Sequence, residues 1–529
     1  MKVKIIDKLK EVIINAEEGE FLLPLLRKNE LLQSAVCGGK GLCGKCTIKV
    51  LNGDFEITQK DKEFFSNTQL SDGFRLACCA KVMTDCTIKM ETNQETFEVI
   101  TVNEIVEKSQ YEQIKEFDRI GIAIDIGTTT IAMQLINCKN GMIIDTYTDV
   151  NHQRAYGSDV ISRIQSSQEG NLKELQERIQ KDLLNGFHYL VRNFAQQLYI
   201  SEVEAIEKVE KIVIAANTTM IHLLMGYSCE GLGTFPFKPI TLDLLKRSFY
   251  EVFSDSYLDV PVVILPGIST FVGGDIVSGM LLRNFYDTEE ISLLVDLGTN
   301  GEMALGNADK IMVTSTAAGP AFEGGNIKDG MGSIQGAISQ IRVEKEEEKT
   351  NVFYETIGNT TPKGICGTGV VDMVYELLRN EIIDEMGTFR DEGQDAFVLA
   401  EKADGSVISF TQNDIRQLQY AKAAIRSGID LLIQKYGIVF SDVKHIFLAG
   451  GFGYKIDISK AIGIGMIPEE FKNRTLAIGN SSLGGAIIAL TNDDYENKIA
   501  KICSVSKEIT LALEDEFNEQ YLENMYFRS

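Results

Sequence analysis

Basic residues are in short supply. The 529-residue chain has 52 lysines and arginines against 76 aspartates and glutamates, a formal net charge of −24. That balance argues against a nucleic-acid partner, which normally needs a basic face to neutralise phosphates. It argues equally against an anionic membrane surface. Long apolar runs are also missing: no uncharged apolar stretch of about 18 residues occurs, so no membrane span is expected. The opening MKVKIIDKLKEVIINAEEGE carries charges throughout and lacks the apolar centre of a secretion signal. The protein is therefore expected in the cytoplasm. Ten cysteines in such a setting point to metal or redox chemistry, not disulfides. At 44 % hydrophobic residues a normal packed core is expected, and the length suits about three or four domains.

The cysteines are unevenly spread. Cys37, Cys43, Cys46, Cys78, Cys79 and Cys86 precede residue 90, whereas Cys138, Cys229, Cys366 and Cys503 are scattered singly. This sets off a first domain, 1–98, whose pattern is strand (VKII), strand (EVIINA), helix (LLPLLRKNELL), cysteine loop, strand (TIKV). A polar connector follows at 99–118. From Ile120 apolar strand-like runs ending in small residues alternate with helical stretches, an α/β pattern with buried strands. GIAIDIGTTTIAMQL from 121 and SLLVDLGTNGEMALG from 292 echo one another as strand, Asp-x-Gly-Thr, strand. The echo implies two related halves, 119–290 and 291–529. The charge run EKEEEKTN at 344–351 reads as a solvated loop.

VCGGKGLCGKCTIKV, residues 36–50, admits three readings. Gly39, Gly41 and Gly44 fit a dinucleotide fingerprint; Gly39, Gly44 and Lys45 fit a phosphate loop with Cys46 in place of its Ser or Thr. Both need a strand entering and a helix leaving, but here a helix-like segment enters and a β-branched run leaves. The third reading is metal. Cys37, Cys43 and Cys46, with Cys78 after 31 intervening residues, give four thiolates, the number an iron–sulfur cluster takes. Zinc is the rival, through the Cys43–Cys46 pair, although a zinc site more often uses two such pairs. The four cysteines, the glycine loop and the Arg-Leu-Ala-Cys run resemble, in order, 2Fe–2S ferredoxins of adrenodoxin-like spacing. That resemblance implies Cys37, Cys43, Cys46 and Cys78 as cluster ligands. Cys79 is adjacent to Cys78 and could substitute; Cys86 is expected to pack in a strand.

The two Asp-x-Gly-Thr runs can each deliver a carboxylate to a cleft and turn N–H groups and hydroxyls toward phosphate, with the carboxylates ordering Mg²⁺ and its waters. Taken singly, either could be an ordinary turn. Together with FVGGDIVSGML (271–281), HIFLAGGFGYK (445–455) and GNSSLGGAIIAL (479–490), they resemble the actin-like ATPase superfamily of sugar kinases, Hsp70 chaperones and actin. The resemblance implies Asp125, Gly127, Thr128 and Thr129 as a first phosphate loop and Asp296, Gly298, Thr299 and Asn300 as a second. It implies Gly450, Gly451 and Gly453 as the adenosine loop, and Asp275 as a catalytic carboxylate acting with Asp125 and Asp296. Glu302 would face Mg²⁺ or water. NHQRAYGSDVISRI (151–164), AANTTM (215–220), STAAGPAFEGGNI (315–327) and GICGTGVVD (364–372) also look site-like; His152 and Arg154 could touch a partner or phosphate, and Cys366 reads as a packing thiol.

The expected fold is thus α/β overall: an N-terminal α+β ferredoxin-like (β-grasp) domain followed by a two-lobed actin-like, ribonuclease H-like ATPase. An electron carrier fused to an ATPase makes sense when hydrolysis drives an otherwise uphill transfer. The motifs in this order resemble the reductive activators of corrinoid proteins. The resemblance implies a 2Fe–2S cluster, ATP and Mg²⁺ as cofactors. It implies a corrinoid protein of a methyltransferase system as partner, a low-potential ferredoxin or flavodoxin as donor, and return of Co(II) to Co(I). A homodimer is left open. Some members carry an extra middle domain, whereas here about 25 residues separate the two regions. Rival expectations are an ATP-driven donor to another anaerobic enzyme, a redox-sensing nucleotide-binding regulator, and a sugar kinase.

Overall fold

The computed structural model describes residues 1–7, 10–29, 31, 37–41, 44, 46–90, 101, 119–345 and 350–527. Cys43, most of the connector and the middle of the charge run lie outside the described residues.

The N-terminal domain is a five-stranded mixed sheet in the spatial order Lys10–Asn15, Lys2–Asp7, Cys86–Met90, Thr47–Asn52, Phe74–Leu76. Lys2–Asp7 pairs antiparallel with Lys10–Asn15 and parallel with Cys86–Met90. Alternation explains the burial: Val3, Ile5, Ile48 and Ile88 point to one face and meet Leu22, Leu23, Leu25 and Leu26 of the helix Leu22–Lys28. Pro24 is tolerated there because it falls in the first helical turn, where no intrahelical N–H is lost. Cys86 is buried in its strand.

Two six-stranded sheets in the rest of the chain share one five-stranded plan. The first sheet has the order Ile143–Val150, Thr130–Asn137, Ile120–Ile126, Val209–Ala216, Pro261–Ile264, Leu245–Ser248. The second runs Ser506–Glu508, Ile311–Thr316, Gly301–Gly306, Ile291–Leu297, Val443–Ala449, Thr475–Gly479. In each, three antiparallel strands form a meander, and two later strands add in parallel beside the first. In each, the aspartate is the second-last residue of the opening strand, Ile120–Ile126 or Ile291–Leu297. Equal topology therefore brings Asp125 and Asp296 to equivalent strand ends. The long helices Leu172–Leu198 and Gln412–Tyr436 cover the outer faces and bury the cores of their lobes.

Two helices join the lobes, Gly274–Leu282 from the first and Ser481–Thr491 from the second. Small residues let them touch. A Cβ on Gly485 would come within 2.0 Å of the Ser278 carbonyl oxygen, and Ser278 Oγ donates to the Ser482 carbonyl at 2.6 Å. The core behind them draws on both sheets, with Ala123 and Val213 on one side and Leu294 and Ala304 on the other. Among the described residues no helix is long and apolar enough to cross a membrane.

Candidate active site and cluster loop

The cleft between the lobes collects the loops that follow the equivalent strands. Its walls hold Asp125, Gly127, Thr128 and Thr129 from one hairpin and Asp296, Gly298, Thr299 and Asn300 from the other. Asp275, Glu302, Gly450 and Gly451 also line it. The cleft is open to solvent, and its empty space, mouth included, is about 1330 Å³. Each hairpin closes on itself: Gly127 N–H donates to the Thr130 carbonyl at 2.9 Å and Gly298 N–H to that of Asn300 at 3.0 Å. Gly450 takes φ +85°, and a Cβ there would stand 2.7 Å from Asp296 Oδ1. Only glycine lets this strand end pass so close to the carboxylate. Gly453 does not line the cleft. It closes the short helix Gly450–Gly453 and packs behind the wall against Leu448 and Leu297.

Hydrogen bonds cross the lobes at Asp125. It accepts from Asn480 Nδ2 at 2.8 Å and Ser482 Oγ at 2.7 Å, both at the start of the second lobe's helix Ser481–Thr491. Asn480 itself caps that helix, accepting from Leu483 N–H at 2.7 Å. Ser481 Oγ lies 3.5 Å from Asp296. In the first lobe Asn217 caps Thr218–Met225 and donates to Thr128 Oγ1 at 3.2 Å. Thr299 Oγ1 donates to Glu323 at 2.8 Å.

Five carboxyls line this space, and four of them, Asp125, Asp275, Asp296 and Glu302, act on one another. Burial raises Asp125 despite its two donors. Burial, then the neighbouring Asp125, lifts Asp275 to about 6. Burial, Asp275 and Asp125 together lift Asp296 to about 7. Glu302, directly opposite Asp296 across the strands Ile291–Leu297 and Gly301–Gly306, is pushed well up by burial, Asp275 and Asp296. Such mutual repulsion favours a cation. Among the described residues no three histidines, cysteines, aspartates or glutamates converge tightly enough to cage a metal ion.

The cysteine loop fits a cluster on different grounds. Cys46 and Cys78 side chains hydrogen-bond one another, which draws Cys46 down to about 7 and pushes Cys78 up. Cys79 Sγ is 3.7 Å from Cys78 Sγ, and Cys37 is half-buried on the loop's opening turn. Gly44 takes φ +68°, and a Cβ there would meet the Phe64 ring at 2.8 Å, so the loop is wrapped too tightly for a side chain. Among the described residues the thiols alone do not converge as a metal site. Cys43 lies outside the described residues.

Several contributors were not legible as individuals. Asn480, Ser482, Asn217, Glu323, Phe322, Phe452 and Lys455 all line the cleft. AANTTM and GNSSLGG stand out as polar segments, and an Asn ahead of an apolar helical run is a capping signal that would have singled out Asn217 and Asn480. His152 is not aimed at the cleft. Its Nδ1 pairs with Asp182 at 3.0 Å, which raises its pKa. Arg154 is buried, and its charge reaches Glu323. Cys366 is buried and precedes the helix Gly367–Arg379.

The fold and cleft define the class: a ferredoxin-like domain joined to a two-lobed, internally duplicated α/β domain of the actin and sugar-kinase type. Residues 5–83 match the family described as 2Fe–2S iron-sulfur cluster binding domain, 120–288 the RACo middle region, and 290–529 the C-terminal domain of RACo, the ASKHA domain. The chain belongs to the RACo family and carries a 2Fe–2S cluster binding domain. It is 28 % identical to corrinoid activation enzyme RamQ of Eubacterium limosum, over 93 % of each chain. It is 25 % identical to the Co(II) methylated amine-specific corrinoid protein reductase of Methanosarcina barkeri, over 76 % of each. The solved reductive activator for corrinoid, iron–sulfur protein is similar at 27 % identity and TM-score 0.67, over 99 % of this chain and 98 % of that one. The family's middle region coincides with the first of the two duplicated sheets, so "middle" there describes this lobe and not an insert ahead of it.

Proposed function

We propose that this chain is an ATP-dependent reductive activator that returns a corrinoid protein from Co(II) to Co(I). The observation that carries the reading is the placement of two equivalent Asp-Gly-Thr hairpins across one cleft, in a chain that also has a cluster domain. The full-length likeness to corrinoid activators supports the choice of partner.

Cys37, Cys43, Cys46 and Cys78, in domain 1–98, would hold the 2Fe–2S cluster, which supplies a one-electron carrier. Its thiolate ligands fit soft iron. One electron taken from a low-potential donor and passed to Co(II) would balance at Co(I). The lobes 119–290 and 291–529, reached through the connector 99–118, bind ATP. Gly127, Thr128, Thr129, Gly298, Thr299 and Asn300 offer N–H and hydroxyl donors to its phosphates. Gly450 and Gly451 present bare backbone to the nucleoside. Asp125, Asp296 and Glu302 would hold Mg²⁺ and its waters, and Asp275, lifted to about 6 by burial and Asp125, would take the proton of the attacking water. Hydrolysis changes the gap between the lobes, and a shape that grips the partner differently in its two redox states biases the transfer. The setting is cytoplasmic.

The test is spectral. A candidate Co(II) corrinoid protein, this protein with reconstituted cluster, and a low-potential reductant are followed for Co(I) absorbance with and without Mg·ATP. Co(I) should accumulate only when Mg·ATP is added to the reductant; equal reduction without it removes the reading.

A further inference from the structure

Arg27 is a buried cation between the two halves of the molecule. It ends the helix Leu22–Lys28 of the ferredoxin-like domain and is only 9 % exposed. Its Nε donates to the Ala155 carbonyl of the first lobe at 2.5 Å, and its guanidinium lies over the Tyr156 ring, 5.1 Å from the centroid. Arg178 of that lobe donates to the Arg27 carbonyl at 3.2 Å. The other end of the guanidinium faces the cysteine loop. Its buried Nη2 has no hydrogen-bond partner among the described residues and would sit 3.6 Å from a Cβ on Gly39, itself 3.9 Å from Cys78 Cβ. Burial lowers the Arg27 pKa, and the fields of Tyr156, Cys46, Cys78 and Cys37 partly restore it. A buried charged donor left without an acceptor is costly, and a thiolate-ligated cluster is an anion that would satisfy it.

The segment that Arg27 holds is pinned at both ends to the first phosphate loop. Asn151 Nδ2 donates to the Gly127 carbonyl at 2.8 Å, and Asn151 N–H donates to the Thr129 carbonyl at 3.0 Å. At the far end the Arg163 guanidinium donates to the Thr128 carbonyl and, through Nε, to the Gly157 carbonyl at 2.9 Å. Two further contacts put the cysteine loop on the same ground: Lys40 donates to Gln165, and Gly38 lies against the Tyr156 carbonyl. A single run, 151–165, thus touches the phosphate loop and the cysteine loop at once.

We propose that Arg27 is a positioning residue that couples the charge of the cluster to nucleotide binding through the 151–165 segment. The proposal rests on the reading of the cleft as an ATP site and of the loop as a cluster site. Reduction adds one negative charge beside the free end of the guanidinium. That pulls Arg27 from Ala155 and Tyr156 toward the cluster and loosens the segment bracing the phosphate loop. Nucleotide therefore binds more tightly to the oxidised protein. By linkage, bound nucleotide makes the reduced cluster the stronger reductant by the same factor, which is the direction an uphill transfer needs.

The experiment measures binding of a non-hydrolysable ATP analogue with Mg²⁺ to the full-length, cluster-loaded protein, oxidised and reduced. Affinity should be about threefold or more higher in the oxidised form, and the analogue should then lower the cluster's midpoint potential by about 28 mV, at 59 mV per tenfold for one electron. In Arg27→Met the affinity ratio falls to about one and the analogue no longer moves the potential. Tyr156→Leu, which alters only the lobe side and spares the cluster domain, also shrinks the ratio. Analogue that binds equally in both redox states, or a wild-type ratio kept by both variants, overturns the coupling while leaving the cleft reading intact. Analogue that binds in neither state removes the cleft reading and the coupling with it.

Discussion

Asp296 shows what a single side chain contributes. Unfolded, it would titrate near 3.9; folded, burial and the adjacent Asp275 and Asp125 raise it to about 7. A carboxyl that holds its proton more tightly in the folded chain destabilises that chain once ionised. The sign follows: no cost below the unfolded value, a growing cost as pH rises, and the full cost above about 7. In Mg²⁺- and nucleotide-free protein, Asp296→Asn should raise the melting temperature at pH 8 and by clearly less at pH 5. Added Mg²⁺ should stabilise the wild type more than the variant. A variant that melts lower than wild type at pH 8 would mean that Asp296 is not held against repulsion. On the proposed reading the strain belongs to function: the carboxylates are kept together at a cost to stability that a cation bound with phosphate would relieve.

At the scale of elements, the crossing of Gly274–Leu282 with Ser481–Thr491 sets the distance between the lobes. Gly485 is its tightest point, because a Cβ there would meet Ser278 O at 2.0 Å and Ser278 Oγ at 2.3 Å. Backbone cannot give way as a side-chain tip can, so Gly485→Ala should cost about 1–3 kcal/mol, the usual range for an overpacked contact. It should also weaken nucleotide binding, since Asn480 and Ser482 start the displaced helix and hold Asp125. Calorimetry of unfolding and nucleotide titration read the two effects; unchanged values for both would show that the helices part without consequence. The same elements mark how far a sequence can be read. The Asp-x-Gly-Thr echo was visible because strand, turn and strand are local and each leaves its residue pattern. The partnership of Asp125 with Asn480 and Ser482 spans 355 and 357 residues, and no local pattern encodes it. Arg27 reaches Ala155 over 128 residues, so it reads from sequence only as a basic residue near a helix end. Gly453, taken from a glycine-rich turn, could not be told from its neighbours, because the short helix that turns it inward is set by what packs behind.

At the scale of the molecule, the duplicated lobes and the cluster domain form one thermodynamic device or two independent ones, and the ATP dependence of electron transfer tells them apart. Asp125 is the residue on which the question turns. It sits on the first lobe, accepts two hydrogen bonds from the second, and belongs to the hairpin whose carbonyls are tied to Asn151 and Arg163. Its side-chain hydrogen-bond partners, Asn480 and Ser482, lie in the second lobe and not in the cysteine loop. Asp125→Ala and, separately, Asp296→Ala should therefore keep the visible absorbance of the cluster and its one-electron reduction by a chemical donor. Both should lose ATP hydrolysis, and their formation of Co(I) with ATP should fall to the level that wild type reaches without it. The comparison with ATP-free wild type matters, because a variant that merely misfolded would fall below that level or lose its colour. If either variant hydrolyses no ATP yet still reduces cobalt faster when ATP is added, binding alone drives the transfer and hydrolysis only resets the lobes. If both keep full hydrolysis, the paired hairpins are not the ATPase centre, whatever their symmetry.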